Sequence, residues 1–164
     1  MPQDITVFCS KAEKTTDAKQ FAKQHNFIFS DQINDRGSLF LNFDEDCLSL
    51  HDDENKTSLS IDFTQGAIAH RLQFGGGKGQ AIAKAIGITA KNKPHILDAT
   101  AGLGRDALVL ANLGCQLTLI EQSAVLFAML QQAKTHAEEN NLFTQATAQG
   151  FEIIHADAVQ WMQK

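Results

Sequence analysis

The sequence predicts an α/β fold, with a parallel sheet covered by helices on both faces over residues 94–164 and a small α+β unit over residues 1–64 ahead of it. Three features carry that expectation. From Pro94 onward, short apolar runs alternate with segments of helical period. Each of the three apolar runs ends close to an acid: Asp98, Glu121 and Asp157. The first sixty-odd residues instead hold several short β-like runs and one helical segment.

Along the chain, "ITVFCS" is short and β-branched and reads as a strand. "TTDAKQFAKQHN" reads as a helix, because Ala18, Phe21, Ala22 and His25 recur at helical spacing and Thr15 or Thr16 can cap it. "FIFS", "SLFLNF" and "CLSLHD" are further strand-like runs, with an acidic loop region around Asp44–Glu54. "TSLSIDF" sets Leu59, Ile61 and Phe63 against polar neighbours, the alternation of a half-buried strand. A Gly-rich connecting segment spans residues 65–93; Gly75–Gly79 breaks regular structure, and Gln80–Ile86 after it reads as a short helix. Its "GGGKG" is not a phosphate loop, since no Gly-Lys-Ser/Thr follows at the required spacing.

From Pro94 the pattern becomes β-α-β-α-β, with no internal repeat. "HILDA" is a strand, and "RDALVLANL" is a helix ended by Gly114. "QLTLIE" is the next strand. Ser123 then caps a long helix, "AVLFAMLQQAKTHAEEN", that ends near Asn140 or Asn141. "FEIIHAD" is the third strand, and "AVQWMQK" opens a further segment.

Composition narrows the classes. Hydrophobic residues make up 43% and charged residues 20%, a globular balance, and no apolar run reaches the eighteen or so residues of a membrane span. The amino terminus has no secretory pattern, so the expected location is the cytoplasm. Cys9, Cys47 and Cys115 are far apart with no CxxC, which argues for buried thiols rather than a zinc or disulfide framework. The histidines show no metal-ligand spacing, so no metal is expected. A net charge of −5 argues against nucleic-acid binding by the whole surface but leaves room for a local basic patch.

In sheets of this kind, ligands bind beyond the carboxyl ends of the strands. There the chain places Ala101-Gly102-Leu103-Gly104 and the start of a helix. Glycines allow a tight turn and close backbone approach. Two ligand classes fit. Gly102-x-Gly104-x-x-Ala107 matches the dinucleotide fingerprint, and Glu121 lies near the expected distance of about 20 residues for a ribose-binding acid. That pattern would suit an NAD-dependent oxidoreductase. Asp98 favours the other class, because an acid just before the turn repels a pyrophosphate. S-adenosylmethionine has no phosphate, and its sulfonium and ammonium suit Asp98. Glu121 can then accept from the ribose hydroxyls and Asp157 from the adenine amine. Asp98 also stands where it can cap the turn, and Asp157 where it can N-cap the next helix. Arg105 and Asp106 open the helix after the turn, where they can orient it or meet the ligand.

The paired stretches "DFTQGAIAHRLQFGGGKGQAIAKAIGI" and "DATAGLGRDALVLANLGC" resemble the RsmJ family, 16S ribosomal RNA guanine-N2 methyltransferases that use S-adenosylmethionine. The resemblance runs from about Ile61 to Asp157. It implies a Rossmann-like methyltransferase sheet, of which this chain holds the first three strands. It also implies cofactor contacts at Arg105 and Asp106, at Glu121 and Gln122, and at Asp157 and Ala158. The last pair departs from members that carry serines there, which points to contact through the backbone.

Members of that family carry an Asp-Pro-rich catalytic motif after a fourth strand. Pro2 and Pro94 are the only prolines here. The resemblance therefore implies an incomplete catalytic domain, with no catalytic residue assignable and a chain inactive by itself. The partner it implies is 16S ribosomal RNA or the small ribosomal subunit. Arg71 and Lys78, within the most basic stretch, are the candidate RNA contacts. A module that binds RNA or a partner without catalysis is the other reading of the same features.

Overall fold

The computed structural model describes residues 5–35, 37–44, 47–74 and 81–163. It divides into two compact units, Met1–Ile61 and Asp62–Lys164. Asp62, Phe63 and Thr64, assigned above to the first unit, fall in the second, as does all of the connecting segment 65–93.

The first unit is a five-stranded mixed sheet in the order β2-β1-β3-β4-β5. Its strands are β1 (Thr6–Phe8), β2 (Ile28–Ser30), β3 (Leu39–Asn42), β4 (Ser49–Asp52) and β5 (Thr57–Ser60). β1 pairs parallel with β2 and β3, while β3-β4 and β4-β5 are antiparallel. Helix α1 (Thr15–His25) buries Ala18, Phe21 and Ala22. Neither threonine caps it: Lys14 holds the N-cap position without a side-chain bond, and the Thr15 hydroxyl donates back to the Lys11 carbonyl. The helix stops at Asn26, whose left-handed φ of 57° lets the Phe27 N–H return to the Ala22 carbonyl at 2.8 Å. Asp44 ties a loop to the end of β1. It accepts from the Ser10 N–H and hydroxyl, both at 2.8 Å, and from the Lys11 N–H at 3.1 Å.

The second unit is α/β, with a three-stranded parallel sheet in the order β6-β7-β8. Its strands are β6 (His95–Asp98), β7 (Gln116–Glu121) and β8 (Phe151–His155). Its helices are α2 (Gly66–Phe74), α3 (Ala81–Ile86), α4 (Arg105–Asn112), α5 (Ala124–Ala137), α6 (Asn141–Ala146) and α7 (Ala158–Met162). β7 lies centrally and all but its first residue are buried. Leu117, Leu119 and Ile120 pack in a core with Leu108 of α4 and Met129 and Leu130 of α5. Burial of each such side chain stabilises the fold by about 1.5–3 kcal/mol. Phe63 stacks on Phe143 at 5.7 Å between ring centroids and meets Phe151 edge-on at 6.1 Å, which explains its place in this unit.

The single long helix expected after Ser123 is two. Ser123 caps α5 as anticipated, its side chain accepting from the Leu126 N–H. Asn140 then caps a new helix by accepting from the Leu142 and Phe143 N–H groups. An Asx side chain competes with helix continuation in this way. Periodicity did not mark α2. Cys9 and Cys115 are buried, whereas Cys47 is only partly so. Among the described residues, no helix is long and apolar enough to cross a membrane.

Candidate functional site

Parallel strands deliver their carboxyl ends to one edge of the sheet. At that edge of the second unit lies a cleft of about 370 Å³. Its walls come from the segment after β6 (Ala99, Thr100, Gly102), the end of β7 (Ile120, Glu121, Gln122) and the junction of β8 with α7 (Ala156, Asp157, Ala158, Val159). Five of the residues expected to contact a cofactor therefore meet in one place: Gly102, Glu121, Gln122, Asp157 and Ala158.

The turn is built tightly. Gly102 and Gly104 have φ of 53° and 67°, a region that side chains with a Cβ avoid. Gly104 is also the left-handed N-cap of α4, and it passes close to Leu130 and Phe63. It is not among the residues that line the cleft. The turn amides are bonded in sequence: Thr100 N–H to Asp98 Oδ1 at 3.1 Å, Ala101 N–H to the Ile120 carbonyl at 3.0 Å, and Gly104 N–H to the Ala101 carbonyl at 2.8 Å.

Glu121 is the most constrained of the three strand-end acids. It is buried, with Oε2 accepting from the Gly102 N–H at 2.9 Å and Oε1 from the Ser123 N–H at 2.8 Å. The carboxylate thus fastens the turn after β6 to the loop after β7. Asp98, at the end of β6, caps the turn through Thr100 and stands outside the cleft lining. Asp157 lines the cleft and N-caps α7, Oδ1 accepting from the Gln160 N–H at 2.9 Å. Arg105 and Asp106 are exposed on the first turn of α4, outside the cleft lining. Asp106 lies 3.7 Å from the Arg71 guanidinium of α2. Lys78 lies outside the described residues.

Several features escaped sequence reasoning. Ala99, Thr100, Ile120, Ala156 and Val159 add apolar and hydroxyl surface to the cleft. Their only signal was adjacency to the strand-end acids. His155, opposite Glu121 in register, stacks on Phe127 at 5.0 Å, and its Nε2 lies 3.2 Å from the Gln122 carbonyl. Nothing in a lone histidine marked it as the support beneath Gln122. Among the described residues, no group of three or more His, Cys, Asp or Glu could hold a metal.

Comparison with known proteins gives the family. A family model described as "Putative SAM-dependent methyltransferase" matches residues 20–164. The ribosomal RNA small subunit methyltransferase J of Colwellia psychrerythraea is 47% identical over 109 residues, 66% of this chain and 40% of that protein. The protein of the same name from Shewanella loihica is 42% identical over 166 residues, 99% of this chain and 56% of that one. The chain therefore spans about half the length of the curated relatives it matches. Among solved structures, the SAM-dependent methyltransferase NGO1261 of Neisseria gonorrhoeae superposes with a TM-score of 0.73 at 28% identity, covering 98% of this chain and 63% of that one. A glycine turn governed by carboxylates at the carboxyl edge of a parallel sheet, within a family match that spans most of the sequence, places the chain in the S-adenosylmethionine-dependent methyltransferase family.

Proposed function

We propose that the cleft binds S-adenosylmethionine and that the protein takes part in methylating the exocyclic N2 of a guanine in 16S ribosomal RNA. The observation that carries the cofactor half is Glu121, a buried carboxylate at the end of β7 fastened to the turn amide of Gly102. The names of the relatives, ribosomal RNA small subunit methyltransferases, support the RNA half. The guanine N2 rests on the family resemblance of the stretches that begin at Asp62 and at Asp98.

The cofactor supplies an activated methyl group on a sulfonium, so the protein's task is mainly binding and alignment. Each carboxylate oxygen of Glu121 holds one N–H and keeps a second lone pair for a ribose hydroxyl. Asp157 keeps one oxygen beyond its cap bond for the adenine amine, and the backbone of Ala158 lies beside it. Gln122, its carbonyl supported by His155, closes the wall between them. Asp98, Arg105 and Asp106 serve the methionine end in this reading. Arg71 and Lys78 serve the RNA, where cationic side chains meet phosphates.

Calorimetric titration with S-adenosylhomocysteine tests the cofactor half. Saturable binding is expected, and absence of heat would remove it. Methyl incorporation into 16S RNA or 30S subunits, located by nuclease mapping, tests the other half. Label on a base other than guanine would refute it.

A further inference from the structure

The segment that leaves β7 for α5, Glu121-Gln122-Ser123, is held at two successive carbonyls by the end of β8 and the residue after it. The Ala156 N–H donates to the Glu121 carbonyl at 3.1 Å, and Nε2 of His155 lies 3.2 Å from the Gln122 carbonyl. A carbonyl oxygen only accepts, so this contact requires the proton on Nε2. Phe127 of α5 places the ring, stacking on it at 5.0 Å between centroids and 16° between planes. His155 is otherwise exposed, so its ring adds little to the core.

The carbonyl that His155 meets belongs to the same planar peptide group as the Ser123 N–H. That N–H donates to Glu121 Oε1 at 2.8 Å, and Glu121 Oε2 accepts from the Gly102 N–H at 2.9 Å. One chain of hydrogen bonds therefore runs from His155 through the Gln122–Ser123 peptide to the Glu121 carboxylate and the glycine turn. A peptide gripped at both its oxygen and its N–H cannot rotate without breaking one bond. A donor at the oxygen also polarises the group and strengthens its N–H as a donor.

We infer that His155 is a positioning residue: acting through the Gln122–Ser123 peptide, it sets where Gln122 and the Glu121 carboxylate stand in the cleft, and so how tightly the cleft holds its nucleoside ligand. This role rests on the cofactor reading above. His155 is not among the residues that line the cleft, so its influence passes through that peptide.

Calorimetry with S-adenosylhomocysteine on the chain, on His155→Phe and on His155→Gln is the test, together with nitrogen NMR of the unmodified ring. Phenylalanine keeps the stack on Phe127 and removes the donor. Glutamine gives up the stack and keeps an N–H donor of similar reach. His155→Phe is expected to bind about three- to tenfold more weakly than the parent, the scale of one hydrogen bond, and His155→Gln within about twofold of it. A residue that only packs gives the reverse order, because phenylalanine preserves the stack. His155→Phe binding as tightly as the parent, or His155→Gln binding no better than His155→Phe, overturns the inference and leaves the cofactor reading standing. The NMR spectrum is expected to show the His155 ring protonated on Nε2. Protonation on Nδ1 alone overturns the inference, even where a variant fails to fold. No binding of S-adenosylhomocysteine by the unmodified chain overturns the cofactor reading, and the inference with it.

Discussion

Glu121 answers two demands at once, since it closes the turn around Gly102 and faces the cleft. Its replacement by alanine removes charge-assisted bonds from both sides of that arrangement. Glu121→Ala is expected to weaken S-adenosylhomocysteine binding by about 1–3 kcal/mol, read as a change in dissociation constant. An unchanged constant refutes its role as a ligand. Asp44 makes a prediction of another kind. Burial pushes its carboxyl up, but the hydroxyl and N–H donors of Ser10 and the N–H of Lys11 outweigh burial and hold it below the usual carboxylate range. A carboxyl depressed on folding stabilises the folded state above its unfolded value of about 3.9, and that contribution is lost as the pH falls through the lower folded value. Asp44→Asn should therefore cost about 1 kcal/mol near neutral pH, and the gap to the parent should narrow as the pH falls through the depressed folded value. Chemical denaturation at several pH values measures both, and a pH-independent gap contradicts the assignment.

At the scale of elements, the two glycines of the turn are not equivalent. A Cβ at Gly102 meets nothing nearer than the Thr100 carbonyl at 3.8 Å, so Gly102→Ala suffers only from its positive φ of 53°. A Cβ at Gly104 meets Leu130 Cδ2 at 3.0 Å and Phe63 Cζ at 3.2 Å, on top of a φ of 67°. Gly102→Ala is expected to cost about 1 kcal/mol and Gly104→Ala about 2–4 kcal/mol. Equal thermal shifts for the two variants refute that ranking. The strands differ in the same way. Leu119 in β7 is fully buried, whereas Leu97 in β6 is 38% exposed, because β6 has only β7 as a described neighbour. Amides of β6 that do not point at β7 should exchange with solvent much faster than the β7 amides. Equal protection along both strands contradicts β6 as an edge.

Over the whole molecule, charge is divided unevenly. In Met1–Ile61, eleven acids face six bases, whereas Asp62–Lys164 holds eight of each, so the entire net charge of −5 resides in the first unit. Phosphate contacts are therefore expected on the second unit, where Arg71 and the lysines at 78, 84, 91 and 93 lie in one stretch of sequence. Ultraviolet cross-linking to 16S RNA should yield peptides from residues 62–164. Arg71→Ala should weaken binding across sequences and lower the salt slope by about one. Cross-links confined to the first unit sink this reading.

Much of this was open to a reader of the sequence, for reasons of periodicity and spacing. Strands of the parallel sheet are mainly apolar runs that end at or close to an acid, and helices repeat every three to four residues. That local code marked β6, β7 and β8, and it gathered Gly102, Glu121 and Asp157 near one edge, where the family resemblance added Gln122 and Ala158. What required tertiary structure was the state of each polar group. Only the folded chain shows that both Glu121 oxygens hold backbone N–H groups, that His155 supports Gln122, and that Gly104 is crowded by Leu130 and Phe63. These contacts join residues distant in sequence, such as Gly102 and Glu121. Hydrogen-bond partners and packing distances of that kind are fixed by three-dimensional proximity, which local periodicity does not encode.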